Sequence, residues 1–139
     1  MPQANRVIVF DNCALLSLLL PDEQGSVYAA HLFEAMSDAR CIAPSLIRFE
    51  LANALSSAVK RKRIIDADVN GILLEFGALE IEIIDTVQAP WTLYSIAQTY
   101  SLSAYDAAYL DLAIQYKAVL ATNDQKLKAA AVQANIVVI

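Results

Sequence analysis

Asp11, Glu50, Asp106 and Asp124 each stand at or near a predicted element junction, among apolar or small neighbours. An isolated ionised carboxylate is costly to bury, so such a group is normally paired, protonated or bound to a metal. Few basic residues lie near these acids in the chain to pair with them. Carboxylates drawn close together raise one another's pKa and do not all stay ionised without a cation. Hard divalent ions such as Mg²⁺ and Mn²⁺ take carboxylate oxygens and keep several waters. A water on such an ion loses its proton more readily and can attack a phosphodiester, while the ion offsets charge on the phosphoryl oxygens. With no histidine or lysine placed as a base, cation-dependent hydrolysis is the chemistry to expect.

Each acid also has a purely structural reading. Asp11 closes an apolar run and, taken alone, reads first as the cap of the helix that follows. Asp124, after Thr122-Asn123, reads first as an acid in a helix's first turn. Glu50 is harder to explain this way. On a helix from Ser45 its face-mates are Leu46, Ile47, Asn53, Ala54 and Ser57, a small-residue stripe bordering the apolar face. Arg48 lies about 160° around that helix and is poorly placed to pair with it. Asp106 has an internal control in Asp111. Asp111 groups with Ala104 and Gln115 on a predicted solvent side, whereas Asp106 faces Tyr109, Leu110 and Ala113. Ser103-Ala-Tyr-Asp106 also fits a capping box. Each structural reading is sound by itself; four of them at one end of one sheet are less so.

The elements that must position these acids follow from periodicity and breakers. Arg6–Asp11 reads as a buried strand ending in an acid, followed by a short helix through Leu20 that Pro21-Asp22 stops. Gly25–Ala39 is helical, Cys41–Ala43 a brief strand, and Ser45–Arg63 and Asp66–Ala78 are helices. Glu80–Ile84 alternates charge with isoleucine, as an edge or half-exposed strand does. Helices follow at Ala89–Tyr100 and Ala104–Tyr116, then strand Ala118–Ala121, helix Asp124–Gln133 and strand Asn135–Ile139. Five strands separated by helices predict an α/β fold, a mostly parallel sheet covered on both faces. Ligands of such sheets bind beyond the carboxyl ends of the strands, where Asp11 and Asp124 fall.

The 139 residues suit one domain, and no linker or repeat divides them. Hydrophobic residues make up 58% and charged residues 18%, so a homodimer or a groove for a partner's helix is expected to cover the surplus apolar surface. The longest apolar stretch, Cys13–Leu20, is well short of a bilayer span, and no basic-then-apolar leader precedes it. The expectation is a cytoplasmic protein with no membrane segment. A net charge of −5 argues against a protein that holds nucleic acid by a broad positive face. It leaves a nuclease open, because an acidic site contributes to that charge. Cys13 and Cys41 lack zinc-type and CxxC spacing and are expected as reduced thiols. His31 is expected at the surface or in packing, and Trp91 in packing.

Four segments resemble the ordered motifs of PIN-domain proteins, especially the VapC toxins. Val7-Ile-Val-Phe-Asp11 through Glu23 is similar to the opening motif, and Phe49-Glu50-Leu-Ala-Asn53-Ala-Leu55 to the second. Leu102-Ser-Ala-Tyr-Asp106 through Ala113 is similar to the third, and Ala121-Thr122-Asn123-Asp124-Gln-Lys-Leu127 to the fourth. The set spans nearly the whole chain, and its order and spacing carry more than any one motif. The resemblance implies a three-layer α/β/α sandwich with a five-stranded parallel sheet in the order 3-2-1-4-5. It also implies a Mg²⁺- or Mn²⁺-dependent endoribonuclease, the toxin of a type II toxin–antitoxin pair, with a VapB-like antitoxin and a homodimeric state. Asp11, Glu50, Asp106 and Asp124 occupy the family's acidic metal-binding and catalytic positions, with Thr122 and Asn53 in supporting ones. Cys13 departs from the serine or threonine common two residues after the first acid, and a thiol is a weaker hydrogen-bond partner.

Lys60-Arg61-Lys62-Arg63 is the dense basic run of the chain. It reads equally as cations at a helix C-terminus and as an RNA phosphate contact, and the two are compatible. The tyrosines at 94, 100, 105, 109 and 116 are expected to pack between helices rather than stack on bases. A phosphoacceptor domain with Asp85 as acceptor is the rival from another class. It expects an acid pair after the first strand, where Phe10-Asp11-Asn12 supplies one acid, and it leaves Glu50 and Asp106 unexplained. A housekeeping PIN nuclease of RNA processing, or a PIN-like module that binds without cutting, are the remaining alternatives.

Overall fold

A computed structural model describes residues 6–85 and 88–139. Its sheet is parallel, with strands β1 (Arg6–Phe10), β2 (Ala39–Pro44), β3 (Glu82–Ile84) and β4 (Val119–Ala121) in the order β3-β2-β1-β4. β1 is central: Val9 pairs with Ile42 on one side and Leu120 on the other. Ile8 and Phe10 point to one face of β1 and Val9 to the opposite face, and all three are fully buried. Both faces of the sheet are therefore covered, as an apolar parallel strand requires.

The covering layers are seven helices among the described residues: α1 (Asn12–Leu19), α2 (Val27–Met36), α3 (Leu46–Lys60), α4 (Asp66–Ala78), α5 (Pro90–Tyr100), α6 (Ala104–Tyr116) and α7 (Gln125–Gln133). Their limits come from ordinary signals. Ser26 caps α2, accepting from the Ala29 amide at 3.0 Å, and Pro90 opens α5 where its missing N–H costs nothing. Glycine is scarce, so Ser101 and Lys117 take the left-handed closing positions of α5 and α6, with φ of 55° and 50°. α6 packs across β1 and β2 with Leu110, Leu112 and Ala113 in the core, which sets its N-terminus beside the end of β1.

The expected fifth strand is reduced to a single parallel bridge, Leu120 to Val138. Asn135 adopts φ 59° and the Ile136 amide closes α7 on the Ala131 carbonyl at 2.8 Å, so pairing with β4 begins only at Val137. The tail still runs along β4 through Leu120 N to Val137 O at 2.9 Å and Thr122 N to Ile139 O at 3.2 Å. Glu80 and Ile81 also fall outside β3, which holds the sheet edge as its charge alternation predicted.

Candidate active site

β1 delivers Asp11. Its amide continues the β1–β4 pairing by donating to the Ala121 carbonyl at 3.1 Å, and its side chain is only 4% exposed. Oδ1 accepts the Ala14 amide at 2.8 Å and so caps α1, while Oδ2 accepts the Thr122 hydroxyl. Thr122 lies wholly buried one residue past β4, and its Oγ1 also accepts the Asp124 amide at 3.0 Å. One threonine thus ties two acids from neighbouring strand ends. Asp124 in turn caps α7, Oδ1 accepting from Leu127 N at 2.9 Å. The capping reading of Asp11 holds and coexists with the cluster, whereas Asp124, expected inside the first turn of its helix, stands one residue earlier as the cap itself. The amide-rich starts of α1 and α7 carry partial positive charge that helps both carboxylates tolerate their neighbours.

α6 brings Asp106 to the same region from its first turn. Ser103 is the cap, its Oγ accepting the Asp106 amide at 3.1 Å, so the Asp106 carboxylate is not needed for that task. Glu50 reaches in from α3, half-buried, and its Oε1 accepts the hydroxyl of Tyr109 on α6. Tyr109 is buried, as expected of a tyrosine that packs between helices, and its hydroxyl adds a polar contact beyond that expectation. The available signal was spacing: three residues after Asp106, it shares that acid's face of the helix.

Electrostatics joins the four. Burial pushes the Asp11 carboxyl up to about 6; hydrogen bonds from Ala14 and Thr122 pull it back, and the charges of Asp106 and Asp124 add to the rise. Asp106 is raised by burial and then by Asp124, against smaller lowering by Ser103 and Lys126. Burial also raises Glu50, the Tyr109 hydroxyl opposes it, and the Asp106 charge adds. Asp106 is therefore felt by both Asp11 and Glu50, and itself feels Asp124. Burial, and then the charges of Asp11, Asp124 and Asp106, push the Cys13 thiol up to about 11.

Oxygen donors that repel one another and lack a close cationic partner suit a hard divalent cation. Among the described residues, no three His, Cys, Asp or Glu side chains form a ready-made metal cage. The donor set fits an ion that takes one or two carboxylates and completes its shell with water, as Mg²⁺ does.

Other expected residues lie apart or carry different tasks. Asn53 is exposed on α3, with no hydrogen bond to the acids among the described residues. Arg63 is engaged, its guanidinium forked on Asp22 at 3.0 Å and also on Glu23 at 3.0 Å. Lys60, Arg61 and Lys62 are exposed and make no ion pair among the described residues. Asp111 is not on a solvent side: it is 5% exposed and accepts from Gln88 Nε2 at 2.7 Å and Gln115 Nε2 at 2.8 Å. A buried acid met by two amides is an internal bracket between α6 and the segment before α5. Trp91, expected in packing, is 77% exposed, and Tyr94 and Tyr105 also face outward. Asp85 is exposed and pairs with Arg48 at 3.2 Å.

A family profile described as PIN domain matches residues 8–133. The chain belongs to the PIN domain family. The match covers all four acids, and with it the phosphoacceptor reading of Asp85 falls. No curated protein sequence matches this PIN domain. Solved structures share its fold at low identity. The crystal structure of PAE2754 from Pyrobaculum aerophilum has a TM-score of 0.68 and 23% identity, over 91% of this chain and 87% of its own. VapBC2 from Rickettsia felis, bound to a DNA fragment from their promoter, gives 0.68 and 16% over 96% and 97%. FitAcB from Neisseria gonorrhoeae gives 0.56 and 18% over 95% and 96%. No helix among the described residues of this PIN domain is long and apolar enough to cross a membrane.

Proposed function

We propose that this PIN domain is a Mg²⁺- or Mn²⁺-dependent endoribonuclease, with Asp11, Glu50, Asp106 and Asp124 as its catalytic and cation-holding acids. The observation that carries the reading is the coupled burial of carboxylates from four separate elements with no cationic partner in hydrogen-bond reach among the described residues. When bound, the cation supplies Lewis acidity at the phosphoryl oxygens and lowers the pKa of a water. The chain's own part is to gather and orient the acids. Thr122 and the Ala14 amide fix the two oxygens of Asp11, and the Leu127 amide fixes Asp124. Asp106, freed from capping by Ser103, stands between them and Glu50 in charge.

A toxin role, with a VapB-like antitoxin as partner, is supported by the motif resemblance to VapC toxins and by likeness in fold to the VapBC2 and FitAcB structures. A homodimer is supported by apolar side chains left exposed on several helices, Phe49, Leu74 and Trp91 among them. Growth arrest on expression, relieved by a small protein encoded alongside, tests the toxin role; no arrest would favour RNA processing. Cleavage of structured RNAs by purified protein with Mg²⁺ or Mn²⁺ tests the nuclease itself. Asp11→Asn and Asp106→Asn are each expected to lower the rate by about 10²-fold or more, in line with loss of a preorganised electrostatic group. Parent-like rates in both variants would remove the acids from the chemistry.

A further inference from the structure

Tyr109 is 1% exposed, and a buried phenol needs a polar partner. It finds one outside its own helix by donating to Glu50 Oε1 on α3. Tyr109 shares a face of α6 with Asp106, so the bond hooks one acid's side chain onto the helix that carries another. Glutamate has a long side chain whose ordering costs rotamer entropy, and a half-buried one is not held by packing alone. With Oε1 taken by the phenol, Oε2 has no protein donor among the described residues.

Resting on the cation-dependent reading above, we propose that Tyr109 is a positioning residue: its hydroxyl holds Glu50 beside Asp106, so that the two acids present a preset pair to a hard divalent cation. The tyrosine touches neither ion nor RNA and acts through Glu50. Groups that orient metal ligands from behind typically account for 10–100-fold in affinity. Tyr109→Phe isolates this contribution, because the ring stays in the core and only the hydroxyl leaves.

The test is titration of MnCl₂ into the full chain without RNA, followed by calorimetry or by the electron paramagnetic signal of free Mn²⁺. Tyr109→Phe is expected to raise the Mn²⁺ Kd about tenfold. Added to Glu50→Gln, it is expected to produce no further rise. In RNA cleavage the Mn²⁺ concentration giving half-maximal rate should climb by the same factor, while the rate at saturating Mn²⁺ returns near the parent's. A merely structural role would instead lower the melting temperature in EDTA and leave the Kd of the folded protein unchanged. An unchanged Kd in Tyr109→Phe, with the parent binding Mn²⁺, overturns the positioning role and spares the cation reading. So does an equal loss in the Glu50→Gln background, since the effect then does not run through Glu50. A parent chain that takes up no Mn²⁺ sinks the cation reading and this inference together.

Discussion

Asp11 shows how one side chain can cap a helix and stand in a charged cluster at once. Its capping bond is worth about 1 kcal/mol, yet burial and two neighbouring carboxylates make its ionised form the unfavourable one in the folded chain. The sign of the resulting pH dependence follows. Its folded pKa, about 6, lies above the ordinary 3.8, so the folded chain holds a proton that the unfolded chain releases between those values. Stability from the neutral form is complete below the ordinary value and is lost as pH rises through about 6. A shift of this size corresponds to about 3 kcal/mol at 1.36 kcal/mol per pKa unit. Asp11→Asn keeps an effective cap and removes the charge, so in EDTA it is expected to stabilise the chain at pH 7.5 and to matter little near pH 4. Urea unfolding of both proteins across that range checks it; parallel pH profiles would show that Asp11 is not the group responsible.

The elements around the site divide the basic run that looks continuous in the sequence. Arg63 turns back onto Asp22 and Glu23, joining the α3–α4 turn to the segment after α1, beside a cleft of about 260 Å³ that Cys13 and Asn123 also line. Lys60, Arg61 and Lys62 remain exposed. If that trio meets RNA phosphates, replacing it with glutamine should flatten the salt dependence of RNA binding by about 0.7 per lost contact. Arg63→Ala should leave that slope alone and cost about 1 kcal/mol at most, as exposed pairs do. Filter binding at several salt concentrations separates the two cases. The closing positions of α5 and α6 give a prediction of a different kind. Lys117 sits at φ 50° without being glycine, so Lys117→Gly is expected to stabilise the chain by about 1 kcal/mol, measured by urea unfolding.

For the whole molecule, a cation that binds only the folded chain must stabilise it by mass action. At one hundred times its Kd the gain is about 2.7 kcal/mol, which for a domain of this size raises the melting temperature by roughly 8 °C. Differential scanning fluorimetry with Mn²⁺ at pH 7.5, reversed by EDTA, is the check, and Asp11→Asn together with Asp106→Asn should abolish the shift. Exposed Phe49, Leu74 and Trp91 further predict sedimentation at twice the chain mass. A monomer at micromolar concentration would leave those side chains without the proposed partner copy.

Much of this was legible before any coordinates. The buried first strand, the order of helices and strands, the cap at Ser103 and the four acids follow from periodicity, breakers and the cost of burying charge, all of which are local in the chain. The central place of that strand was implied only by the resemblance to PIN-domain proteins. Periodicity placed Glu50 beside the apolar face, but could not reveal that a tyrosine 59 residues later would hold it. Asp111 was misread for the related reason that its amide partner Gln88 comes from outside its helix. The fifth strand failed as a full strand because a left-handed turn at Asn135 delays its pairing, and one backbone angle leaves no periodic trace. Local pattern determined which residues carry charge and on which elements. Only the tertiary structure decided which of them meet, because hydrogen bonds between helices depend on how far apart two elements come to rest, and that distance is set by packing of the whole core.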